Sequence, residues 1–146
     1  MTSSVAVAGD GVICSPTSIR ILVGGEAEGS TLALDEPLSF WGGFEAETGA
    51  IIDQRHPQAG TVITGDVVVM SGGRGSSSAS SVIAEAIRLG TAPAAIIMAE
   101  ADEIVALGAI VADELYDLQM PVLVADSDTF DALRASSVIR VSTIDS

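Results

Sequence analysis

The run from Val67 to Arg88 constrains this chain more than any other stretch. Val67-Val68-Val69-Met70 is a short apolar run, and Ser71-Gly72-Gly73-Arg74-Gly75 breaks it with three glycines. Ser76-Ser77-Ser78-Ala79-Ser80-Ser81 then supplies a string of hydroxyls, after which Val82 to Arg88 carries apolar residues at helical spacing. That order predicts a strand, a tight loop and a helix. Glycines let the backbone approach a ligand closely. A helix N-terminus directs N–H groups and partial positive charge at an anion. Arg74 adds a planar fork suited to a carboxylate or phosphate. The loop therefore suits a small anion, with Arg74, Gly75, Ser76, Ser77 and Ser78 as candidate contacts. The same residues also serve as ordinary turn and cap chemistry, with Ser77 or Ser78 as N-cap, and neither reading singles out one serine. A Walker A loop is excluded, because that motif requires a lysine and the chain has none.

Downstream, Ala94 to Met98, Pro121 to Val124 and Val138 to Val141 read as strands, while Ala101 to Leu115 and Asp126 to Leu133 read as helices. In the first of these helices Ile104, Leu107, Ile110, Val111 and Leu115 recur at spacings of three and four, and Gly108-Ala109 allows another element to come close. Upstream, Ile19 to Val23 and Ser30 to Leu34 are strand candidates, with Gly24 to Gly29 as a hairpin or joining loop. This pattern predicts an α/β chain, a parallel half preceded by a β-rich half, folded as a compact β/β/α domain over 19–146. Residues 1–18 read as a loosely held arm or a short edge strand.

A length of 146 residues suits one such domain. The formal charge of −14, from six arginines against twenty acidic residues, argues against a nucleic-acid surface. No apolar run is long enough for a membrane helix, and the start lacks a basic n-region, so a cytoplasmic, non-membrane protein is expected. One cysteine, Cys14, leaves no internal disulfide and no cysteine-rich metal site.

Two more stretches stand out. Asp35 to Phe44 holds Phe40, Trp41 and Phe44 beside Pro37 and a glycine pair, and bulky residues gathered this way are expected to be covered, by the domain's own sheet or by a partner. Asp53-Gln54-Arg55-His56-Pro57 holds the single histidine. His56 is either a hydrogen-bonding structural residue or an acid, base or ligand, and Asp53, Arg55 and His56 could form a local polar network or touch substrate.

Glu36-Pro37-Leu38-Ser39-Phe40-Trp41-Gly42-Gly43, Asp53-Gln54-Arg55-His56-Pro57 and Gly73-Arg74-Gly75-Ser76-Ser77-Ser78-Ala79-Ser80, the last running on into Gly90-Thr91-Ala92-Pro93, together resemble the small subunit, or swivelling domain, of the aconitase X family. The resemblance covers about residues 19–141. It implies a swivelling β/β/α domain and a hydro-lyase built from two parts, of which a large subunit carries an iron or iron–sulphur centre and this chain binds none alone. It implies that Ser76, directly after Gly75, is the proton-abstracting base. Arg74, Gly75, Ser77 and Ser78 would lie on the substrate, and Phe40, Trp41, Arg55 and His56 at the site or interface. Family members that resemble this sequence dehydrate cis-3-hydroxy-L-proline or mevalonate 5-phosphate, and the form of the serine loop favours the former. Set against this is a non-catalytic module whose loop grips an anion while the Phe40-Trp41 patch docks a partner.

Overall fold

A computed structural model describes residues 3–9, 12–13, 19–74 and 77–145. The chain begins with β1 (Ser3–Gly9), β2 (Val12–Ile13), β3 (Ile19–Val23) and β4 (Glu26–Ala33), followed by the two-residue strands β5 (Leu38–Ser39), β6 (Phe44–Glu45) and β7 (Ala50–Ile51). The second half runs β8 (Val67–Met70), β9 (Gly73–Arg74), α1 (Ala79–Leu89), β10 (Ala95–Met98), α2 (Glu103–Tyr116), β11 (Val122–Ala125), α3 (Ser127–Arg134) and β12 (Val138–Asp145). The alternation expected from residue 66 onward is therefore present, and the fold is α/β. No helix among the described residues is long and apolar enough to cross a membrane.

Eight strands hydrogen-bond in the order β2-β1-β12-β4-β8-β10-β11-β3. β4 divides this ladder. Its first half pairs antiparallel with β12, from Ser142↔Glu26 to Val138↔Ser30, and its last residues pair parallel with β8, from Thr31↔Val67 to Ala33↔Val69. One strand thus joins an antiparallel sheet to a parallel one. Glu26 to Gly29 lie within it, so the expected hairpin loop is confined to Gly24-Gly25, and β3 lies across β11 at the far edge. Of the N-terminal residues, Ser3–Gly9 pair along their whole length with β12, and Val12–Ile13 fold back on Ala8 and Gly9. Cys14 lies outside the described residues.

Strand alternation builds two cores, because successive side chains point to opposite faces. Val67, Val69, Ile97 and Leu123 meet Ile139 and Val141 of β12 and Phe130 and Leu133 of α3, which is the core between the sheets. Val68, Met70, Ile96, Met98 and Val122 face the other way, onto α1, α2 and the 34–63 segment. This is the expected β/β/α layering.

Helix ends follow the sequence signals. α1 stops at Gly90, whose φ of 79° suits glycine. The Asp102 carboxylate accepts from the Ile104 and Val105 N–H groups, and that of Asp126 accepts from Thr129 N–H, so both following helices are capped. In α2 the face turned inward is not the expected stripe of large residues. Val105, Ala106, Gly108, Ala109 and Ala112 are buried, whereas Leu107, Ile110 and Leu115 are exposed. Small residues win that face because α1 lies so close that a β-carbon on Gly108 would sit 2.7 Å from Ile83 Cβ.

Candidate functional site

The parallel strands β4, β8 and β10 end at the same edge of the sheet, the place where open α/β folds bind ligands. The segment leaving β8 is held there by its neighbour, since the Ser71 carbonyl accepts from Ala99 N–H at 3.2 Å and from Glu100 N–H at 2.9 Å. Two residues on, β9 pairs parallel with β5, setting Leu38 opposite Gly73 and Ser39 opposite Arg74. Leu38 and Phe40 are buried in the helix-side core and anchor that strand. Two stretches more than thirty residues apart in sequence are thus fixed side by side.

The third stretch joins the same frame through the backbone. The Gly43 carbonyl accepts from Ile52 N–H at 2.9 Å and from Asp53 N–H at 3.3 Å. The Asp53 carboxylate accepts from Arg55 N–H at 3.0 Å, a tight local turn. His56 is 6% exposed. Its Nδ1 accepts from Gln58 N–H at 3.0 Å, so Nε2 carries the proton and donates to the Glu36 carbonyl, also at 3.0 Å. Nδ1 thus closes the 53–58 turn on itself, and Nε2 ties that turn to the residues before β5. Asp53 and His56 are linked through the backbone, while Arg55 is exposed. His56→Ala is expected to cost about 2–3 kcal/mol, the scale for two orphaned hydrogen-bond partners, read by chemical denaturation. Unchanged stability with a hundredfold loss of turnover would instead place the histidine on substrate.

At the start of α1 the hydroxyls turn back onto the chain. Ser80 Oγ donates to the Ser77 carbonyl at 3.0 Å and Ser81 Oγ to that of Ser78 at 2.8 Å. Ser78 stands at the N-cap position without a side-chain cap hydrogen bond, and Ser77 and Ser78 are both exposed. The N-terminus of α1 lies at the carboxyl edge of the sheet, directly after the serine loop. Gly75, Ser76 and the Arg74 side chain, the centre of the expected site, lie outside the described residues.

Phe40 and Phe44 pack edge to face, with ring centres 5.1 Å apart, and both are buried as expected. Trp41, at 56% exposed, is not covered by the domain's own sheet. The turn at 40–43, in which Ser39 Oγ donates to the Trp41 carbonyl, sends its ring outward. There it forms one wall of a groove of about 900 Å³ whose other wall is Val82, Glu85, Arg88 and Leu89 of α1. The role of α1 as a groove wall was missed in the sequence, although Val82, Glu85 and Leu89 recur at three- and four-residue spacing. Glu85 and Arg88 form an exposed ion pair, and the hydrogen bond from Arg88 draws the Glu85 carboxyl below its usual range. Asp66, at the opposite end of β8, is pushed up by burial and stands apart from the loop.

Among the described residues no group of three or more histidine, cysteine, aspartate or glutamate side chains is placed to hold a metal ion. Both ring nitrogens of His56 are engaged in hydrogen bonds, so it offers no free donor to a metal.

A family model described as the aconitase X swivel domain matches residues 16–146. A cis-3-hydroxy-L-proline dehydratase of Pseudomonas aeruginosa is 46% identical over 123 residues, which is 84% of this chain and 21% of that protein. The chain thus corresponds to about a fifth of that relative's length. A phosphomevalonate dehydratase small subunit of Methanothermobacter thermautotrophicus is 46% identical over 93 residues, 64% of this chain and 71% of that protein. Among solved structures, aconitase X of Thermococcus kodakaraensis in its holo form aligns at a TM-score of 0.68 and 31% identity, covering 93% of this chain and 97% of that one.

Proposed function

The chain belongs to the aconitase X swivel domain family, and we propose that it is the small subunit of a hydro-lyase, closing with its serine loop over a hydroxy acid held by a large subunit. The observation that carries this reading is the β5–β9 ladder, which joins the 36–43 and 73–74 stretches at the carboxyl edge of the parallel sheet. A loop carried on a rigid edge, beside a helix N-terminus, is suited to being offered to a second body.

In the proposed reaction Ser76, as alkoxide, removes the proton on the carbon beside the substrate carboxylate. That electron pair forms the new double bond as the carbon–oxygen bond to the β-hydroxyl breaks, and the oxygen leaves as water after taking a proton from an acid that the large subunit supplies. Arg74 holds the carboxylate in its guanidinium fork. A free serine is a very weak base, so this role requires its proton affinity to be lowered. The Arg74 charge and the positive end of α1 both act in that direction. We assign the iron or iron–sulphur centre of such an enzyme to the large subunit, as the resemblance to the aconitase X family implies.

We favour cis-3-hydroxy-L-proline as substrate, because over the same 84% of the chain the dehydratase bearing that name is 46% identical and a phosphomevalonate dehydratase small subunit of Methanosarcina acetivorans 34%. The test is to co-purify the chain with its large subunit and assay both substrates. Dehydration of cis-3-hydroxy-L-proline at a kcat/KM at least a hundredfold above that for mevalonate 5-phosphate is expected, on the order of two pocket contacts. The reverse ratio would identify the phosphorylated substrate. A stable complex inactive on both would favour the non-catalytic anion-binding module.

A further inference from the structure

The groove beside Trp41 is built from apolar groups that a lone domain has no reason to expose together. Buried Phe40 and Phe44 line it together with Val82, and Trp41, Ile52 and Leu89 line it while 56%, 42% and 42% exposed. Apolar surface concentrated in this way, with a tryptophan as one wall, marks an interaction site.

The charge around it narrows the occupant. Glu45 and Glu47 stand on the loop side and are exposed. The ion pairs among the described residues are Arg88–Glu85, Arg134–Asp35 and Arg140–Glu28, so neither rim carboxylate belongs to one. Arg88, the cation of the groove, is neutralised by Glu85. The rim is left with two unmatched negative charges, which repel a hydroxy-acid anion, and an open slot of about 900 Å³ exceeds what a small acid fills. A second copy of a chain carrying −14 would bring more of the same charge.

We infer that this groove seats an apolar segment of the large subunit flanked by an arginine or lysine that meets Glu45 and Glu47. The inference rests on the subunit assignment proposed above and specifies where and by what chemistry the two parts join. Its consequence for the reaction is geometric. The α1 wall runs from Val82 to Leu89, about 10 Å at helical rise, and begins one turn after the serine loop. A segment lying there grips α1 along its flank and leaves the N-terminus free to face the substrate.

Trp41 is the single tryptophan, so 5-fluorotryptophan labelling gives one 19F resonance that reports on the groove alone. Titrating the labelled full-length chain with unlabelled large subunit should shift that resonance. Glu45→Lys with Glu47→Lys should raise the Kd by about tenfold or more at low salt, a difference that shrinks as salt is added. Leu89→Ser should weaken binding to a similar degree at every salt concentration. All three positions are exposed, so the variants should keep the parent's melting temperature. A complex that assembles with the resonance unmoved and both variants binding as tightly as the parent would overturn the groove and leave the subunit assignment standing. Absence of any complex would overturn the subunit assignment and the groove with it.

Discussion

Ser76→Ala in the assembled complex is expected to lower kcat by about a thousandfold, within the range that a positioned general base contributes, while the two subunits associate as before. The base acts only as the proton is transferred, so KM should move little and kcat and kcat/KM should fall together. Ser77→Ala and Ser78→Ala are the controls. Both residues are exposed, and their carbonyls, not their hydroxyls, hold Ser80 and Ser81. Losing a substrate contact from either should cost about tenfold, the effect of one neutral hydrogen bond. Full turnover by the Ser76 variant would remove serine as the base. An equal loss in all three variants would mean that the loop acts through its shape.

Apart from β9, the strands and helices after residue 66 were legible because each carried its own punctuation: an apolar run, a cap residue or a glycine at the proper offset. The join at β4 was not. Nothing local in Glu26-Ala27-Glu28-Gly29 distinguishes a strand from a polar loop, since that half of β4 is specified by its pairing with β12 more than a hundred residues later. The inward face of α2 was misread for a related reason. Periodicity favours large apolar residues as core, but close helix contact selects small ones, and the choice is made by α1, not by α2 itself.

The site was legible in its parts and illegible in its assembly. Gly73-Arg74 reads as a loop by composition, and only the partner strand at Leu38-Ser39 makes it a ladder. Phe40-Trp41 reads as a hydrophobic plug or as a partner-facing wall, and the turn at 40–43 splits the pair between the two, burying one ring and exposing the other. His56 illustrates the limit of residue type as evidence. Two backbone hydrogen bonds decide its role, and neither partner can be identified from the motif.

Gly108→Ala should carry a large structural penalty and reach the site from a distance. A methyl group there would lie 2.7 Å from Ile83 Cβ and 2.8 Å from the Ser80 carbonyl. Both are atoms that every residue except glycine, or every residue without exception, places in the same position. No rotamer change relieves the clash, so α1 and α2 must move apart. Overpacking of this kind costs about 1–3 kcal/mol, which for a chain of this size lowers the melting temperature by roughly 4–10 °C. Ile83→Ala should fail to restore it, because alanine retains the offending β-carbon. Ser80 lies in the first turn of α1, four residues after Ser76, so the displacement is transmitted to the serine loop. In the complex at 25 °C, well below melting, kcat should therefore fall as well, by up to about a hundredfold for a shift near 1 Å. Loss of thermal stability with undiminished turnover would show that the loop is positioned by β9 and Ser71 alone. Undiminished melting would show that the helices are not in the close contact that sets the frame.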